Sequence, residues 1–153
     1  MHALVLLAAL ATGADEPMVT LARTGCFGSC PAYKISVWSD GRVEFKGRAY
    51  VKTKGQAKGQ LTPDDVAALK AAFIDAGYLK WGTGFDCYEA TDNPTVTTSF
   101  RDGAAHHTIE HYYGCRSKPG LDALTKLEAR VDELVHIERW IGTVEERRAL
   151  KRP

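Results

Sequence analysis

The sequence predicts an α+β domain: a two-layer sandwich in which an antiparallel sheet of hairpins carries two helices on one face. Three observations carry this. Residues 33–45 and 96–111 alternate apolar and polar side chains on either side of an Asp-Gly turn. Residues 66–76 and 121–141 instead repeat apolar side chains at three- and four-residue steps. Turns between successive strands are short, so those strands pair antiparallel.

The chain has 153 residues, enough for one ordinary core. With 44% hydrophobic residues, 25% charged residues and a net charge of +1, it is neither disordered by composition nor basic enough for nucleic acid. Residues 1–14, MHALVLLAALATGA, contain no Lys, Arg, Asp or Glu and end in small residues. They read as a secretory signal peptide, cleaved after Ala11 or Ala14. The competing reading is a buried apolar strand or helix. At ~20 residues for a span, the run is too short to cross a bilayer as a helix. The expected product is periplasmic or secreted, soluble after cleavage, with residues 15–142 as its single domain.

Within that domain, residues 18–24 (MVTLART) form a first short strand. In the next hairpin the register follows from face purity, because a slip of one residue turns side chains to the wrong side. A two-residue Asp40-Gly41 loop would set Val37 opposite Glu44. A three-residue Ser39-Asp40-Gly41 loop sets Val37 opposite Val43 and Ile35 opposite Phe45, with Gly41 left-handed. Pairing continues towards Val51, and the polar, Gly-rich stretch 52–60 is a solvated loop or hairpin tip. Thr62 caps a helix of about 14 residues that starts at Pro63, with Asp64 and Asp65 against its positive end and Gly77 as its stop. Residues 80–94 show no period. In the second hairpin an Asp102-Gly103 loop pairs Phe100 with Ala105 and Val96 with Ile109. From 119 to 141 runs the strongest helical pattern, its stripe flanked by charged residues that include Glu128 and Asp132; residues 143–153 are a charged C-terminal tail.

Four cysteines allow three pairings. A Cys26 to Cys30 bridge closes about five residues and stabilises by roughly 2 kcal/mol, whereas Cys87 to Cys115 closes about 29 and gives roughly 3.5 kcal/mol. The hairpin register brings Cys115 opposite about Ala90, close to Cys87, so the local pair plus the hairpin pair is favoured. Two chemical readings compete with these disulfides. A redox site would ordinarily be Cys-x-x-Cys at a helix N-terminus, but here the spacing is longer and strands flank it. A zinc site could draw on Cys26, Cys30, His111 and Cys115, and would leave Cys87 over.

The run Cys26-Phe27-Gly28-Ser29-Cys30-Pro31-Ala32-Tyr33, followed by Asp40-Gly41, resembles the signature of the bacterial family DUF6438. The resemblance extends from about Val19 to Ile141, through Thr62-Pro63 and Thr91-Asp92. It implies a small exported or lipid-anchored bacterial protein with no established activity. A lipid-anchoring cysteine after the apolar run is lacking, and the pair Cys87 and Cys115 is not carried over from the family.

Candidate site residues are then few. His107 and His111 would stand ~13 Å apart on a strand, too far for one ion, and line the sheet face instead. Asp86, Glu89 and Asp92 could hold calcium, yet they match no calcium loop and serve equally as turn residues. Neither a nucleophile elbow nor a phosphate loop is present. Trp38, on the polar sheet face opposite Arg42, and Phe27, at the tip of the cysteine loop, are candidate contact residues. The expected function is a disulfide-stabilised, non-catalytic binding or interaction module of the cell envelope, with a protein or envelope ligand as partner. No catalytic, cofactor or metal residue is assigned. The alternative is a small metal-dependent or hydrolytic enzyme using His107, His111 and loop carboxylates.

Overall fold

The computed structural model describes residues 15–85, 87 and 89–150. The expected signal peptide and Asp86 therefore lie outside the described residues. Among the described residues, seven strands form one open sheet: β1 (Val19–Arg23), β2 (Ala32–Val37), β3 (Arg42–Ala49), β4 (Gly55–Gln60), β5 (Gly84–Phe85), β6 (Thr95–Asp102) and β7 (Ala105–Tyr112). Their spatial order is β4-β3-β2-β1-β6-β7-β5, antiparallel except where β5 joins β7. β1 lies between β2 and β6 and so joins the two hairpins into one sheet. Helices α1 (Pro63–Asp75) and α2 (Leu121–Leu134) touch each other and share one core with the sheet. Leu69, Phe73, Leu124 and Val131 meet Val19, Leu21, Ile35, Phe45, Phe100 and Ile109 there. This is the α+β arrangement the sequence predicts.

The first hairpin has the expected register, with Val37 opposite Val43 and Ile35 opposite Phe45. Gly41 sits at φ +86°, and a Cβ there would come within 2.8 Å of the Leu61 carbonyl oxygen. The second hairpin is shifted by two residues from expectation: Phe100 faces His107, Val96 faces His111, and Asp102 faces Ala105. Its loop is Gly103-Ala104, with Gly103 at φ +59° in the first central position, as a type II′ turn requires. A shift of two leaves every side chain on its own face, so face purity could not separate the registers. Turn chemistry decides between them.

Residues 52–60 are not all loop, because β4 pairs along β3 from Arg42–Gln60 to Gly47–Gly55. Its small residues are what admit it: a Cβ on Gly59 would lie 2.6 Å from Arg139 Nη2 and 2.9 Å from Trp140 Cζ2. α1 starts and stops as expected, with the Asp65 N–H donating to Thr62 Oγ1 at 3.1 Å and Gly77 left-handed.

The long helical pattern does not run unbroken to Ile141. His136 adopts φ +53°; its N–H donates to the Glu133 carbonyl, and that of Ile137 donates to Asp132, closing a Schellman motif without glycine. The break lets α3 (Glu138–Ile141) fold back and lay Trp140 on Phe45, ring centroids 5.1 Å apart. Burial of Trp140 and Ile141 offsets the strain at His136. Beyond it, the charged stretch 143–153 contains α4 (Val144–Ala149), started by a reciprocal capping box between Thr143 and Glu146. A Lys52–Glu146 ion pair of 3.0 Å ties α4 to the connection between β3 and β4.

Candidate functional site

One row of the sheet's inner face departs from the apolar pattern. Strand pairing sets Tyr33 beside Arg23, Arg23 beside Val96, and Val96 beside His111. Facing this row from α2 are Glu128 and Asp132, four residues apart and so on one side of the helix. Glu128 is fully buried and His111 is 2% exposed, so the charged residues beside the α2 stripe are not all solvated. This corrects the expectation that they simply fill the helix's polar side.

These groups satisfy one another in a chain. Arg23 donates from Nη2 to Asp132 Oδ2 at 2.7 Å, from Nε to the same oxygen at 3.1 Å, and from Nε to Tyr33 Oη at 3.0 Å. Tyr33 donates its hydroxyl to Asp132 Oδ1 at 2.6 Å. Arg23 Nη1 donates to Tyr113 Oη at 3.3 Å, and Tyr113 donates to Glu128 Oε2 at 2.7 Å. His111 Nδ1 lies 3.0 Å from Glu128 Oε1; a carboxylate only accepts, so the imidazole is the donor. Burial opposes the charge on Arg23, but the attraction of Asp132, aided by Tyr33 and Tyr113, outweighs it and holds the guanidinium above its ordinary pKa. Burial, then Asp132, pushes the Tyr33 phenol up. Burial likewise lifts Tyr113 to about 12. Asp132 is raised by burial and by Glu128, against the pull of Arg23 and Tyr33.

Above this floor opens a cleft of about 420 Å³, walled by Thr24, Cys30, Pro31, Asn93, Pro94 and Ile141, with Arg147 of α4 at its side. Its rim is pinned covalently and by backbone bonds. Cys26 is disulfide-bonded to Cys30 and Cys87 to Cys115, the pairing the hairpin argument favoured. Thr24 N–H donates to the Thr95 carbonyl, Thr95 N–H returns to Thr24 Oγ1 at 2.8 Å, and Phe27 N–H donates to the Asp92 carbonyl at 3.1 Å.

That last bond joins two of the candidate residues, Phe27, 80% exposed, and Asp92, held at φ +64°; neither lines the cleft. Trp38 lies at the other end of β2, its indole N–H on the Asp15 carbonyl at 2.9 Å and the Arg42 guanidinium 4.7 Å above its ring. His107 packs edge-on against Tyr78, with Nε2 3.4 Å from the Gly82 carbonyl. His111 lies beneath the site, spent on Glu128. Glu89 turns to the loop after Cys115, accepting from the Arg116 N–H at 3.0 Å and from the Ser117 hydroxyl. Its carboxyl is held below the usual range, chiefly by Ser117. Cys87, Glu89 and Cys115 bring ligand-type atoms together, but both sulfurs are in the disulfide and are not thiolates.

Arg23, Tyr33, Tyr113, Glu128 and Asp132 were missing from the sequence-based candidates. A signal for them exists: Arg23 continues the inward alternation Val19, Leu21, and Glu128 falls four residues after Leu124 and three before Val131, on the apolar stripe.

The fold and this cleft define a disulfide-bridged α+β domain with a pre-organised polar floor at one end of its sheet. The chain belongs to the family described as a domain of unknown function, DUF6438, whose model matches residues 17–135. None of the curated proteins matches it.

Proposed function

We propose that the protein is an exported, non-catalytic binding module of the cell envelope, and that the cleft between the Cys26–Cys30 loop and α4 is its binding site. The observation that carries this is the closed hydrogen-bond chain in the floor: its acids and bases are committed to one another, which suits a rigid recognition surface better than proton transfer to a substrate. Two disulfides fit an oxidising compartment, and among the described residues no helix is long and apolar enough to cross a membrane. A larger cleft of about 570 Å³ at the opposite end of the sheet is less suited. Its charges are paired with each other near the surface, Arg101 with Glu16 and Lys70 with Asp102, and such pairs hold geometry weakly.

A fragment screen read by backbone amide shifts tests the reading. Hits should converge on Thr24, Asn93 and Arg147. Convergence on the opposite cleft would overturn the site assignment. Turnover on a hydrolase substrate panel, abolished by His107→Ala, would overturn the non-catalytic reading.

A further inference from the structure

Resting on that assignment of the cleft, the geometry points to the chemistry of its ligand: a carboxylate on a short apolar or aromatic body. The donor and acceptor balance of the floor decides the polar end. Both Asp132 oxygens are taken, one by two donors of Arg23 and the other by the Tyr33 hydroxyl. The Tyr33 and Tyr113 hydroxyls each donate to a carboxylate and accept from Arg23. Acceptor groups on the floor are therefore each already engaged by a donor.

Donors are left over. A guanidinium has five N–H bonds, and the bonds just described use one at Nε and one on each terminal nitrogen. One N–H on Nη1 and one on Nη2 remain, on a side chain 16% exposed at the cleft. Arg147 stands at the same cleft, donates to the Gly142 carbonyl, and makes no ion pair among the described residues. The lining thus carries two guanidiniums and the Asp132 carboxylate, while the second carboxylate, Glu128, is buried beneath Tyr113, so the unspent polar groups that reach the cleft are guanidinium N–H donors. Forked guanidinium donors match the two oxygens of a carboxylate.

The rest of the wall fixes the body of the ligand. Pro31, Pro94, Ile141 and the Cys30 sulfur offer apolar surface with no donor, and the volume is near the lower end of the ~300–1,000 Å³ that small-molecule sites occupy. Such a carboxylate exists both as a free acid and as the C-terminus of a peptide. The shared group is what the cleft reads, and the test separates the sources.

The experiment is an amide-shift titration of the intact protein with 3-phenylpropionate, with its neutral isostere 3-phenylpropionamide, and with a tripeptide ending in Phe as free acid or C-terminal amide. Saturable shifts at Thr24 and Asn93 are expected with the acid, at least tenfold weaker with the amide, and about tenfold weaker in Arg147→Gln. Arg147→Lys, which keeps the charge without the fork, should fall between. If only the free acid saturates, the source is a small molecule; if the peptide acid binds tighter, it is a chain terminus. Both outcomes support the carboxylate. Equal binding of acid and amide in the cleft would overturn the carboxylate inference while leaving the cleft as the binding site. Shifts confined elsewhere, or no saturation with any probe, would overturn both.

Discussion

Truncating Glu128 to alanine is the sharpest perturbation of the floor. Its carboxylate is fully buried and receives His111 Nδ1 at 3.0 Å and the Tyr113 hydroxyl at 2.7 Å. Each hydrogen bond to a charged acceptor contributes about 1.5–3 kcal/mol, and both donors would be left without it, one of them on a side chain 2% exposed. Breaking a buried pair by removing one partner costs about 3–5 kcal/mol, so roughly 4 kcal/mol is expected here. For a domain of this size that corresponds to a fall in Tm of roughly 12–20 °C. Calorimetry or urea unfolding reads it directly. The double variant His111→Phe with Glu128→Leu removes donor and acceptor together and should recover about 1–3 kcal/mol of the summed single costs. A cost for Glu128→Ala below about 1 kcal/mol, or single costs that add within about 0.5 kcal/mol, would refute the claim that these groups hold one another.

Other consequences follow from the same structure. Burial raises Tyr78 and Tyr113 to about 12 and Tyr33 further, so these three of the six tyrosines should ionise late in a phenolate absorbance titration. A folded pKa above the unfolded value near 10 means their contribution is intact below pH 10 and lost as pH rises through 12. For Tyr78 alone that is roughly 2–3 kcal/mol, and Tyr78→Phe should flatten the alkaline limb of stability against pH. His136→Gly should stabilise by about 0.5–1 kcal/mol in urea unfolding, because it relieves a left-handed non-glycine residue whose side chain is 62% exposed. Replacing Cys87 and Cys115 by serine should cost about 2–4 kcal/mol without loss of the sheet in far-ultraviolet dichroism, and the unaltered protein should weigh four hydrogens less than its reduced formula.

Much of the fold was legible because local rules were enough to specify it. Thr62-Pro63, Gly77 and the Ser39-Asp40-Gly41 turn each satisfy a backbone requirement within a few residues, and each stands where the sequence puts it. Elements settled by distant packing were not legible. β4 is polar and Gly-rich, and it is a strand because β3 offers an edge and Trp140 needs the space above Gly59. The break at His136 carries no glycine to announce it. The second hairpin's register was ambiguous because a shift of two preserves every face.

For the site, Phe27 and Asp92 were singled out and are joined by a backbone hydrogen bond, but neither lines the cleft. The floor was not legible, because each member looks ordinary in its own segment: a charge at a strand end, an acid on a charged helix. Only cross-strand pairing sets Tyr33 and Arg23 side by side, with Arg23 two strands from His111, and only α2's placement brings Glu128 and Asp132 over them. Buried polar clusters are assembled by topology, so a single sequence shows their parts without their proximity.

Diffraction from crystals grown with 3-phenylpropionate tests the central claim most directly. Density for the carboxylate against the Arg23 and Arg147 guanidiniums, with Arg23 still on Asp132 and the ring against Pro31 and Pro94, is the expected result. Ligand density elsewhere on the molecule, or an Arg23 turned away from Asp132, would contradict it.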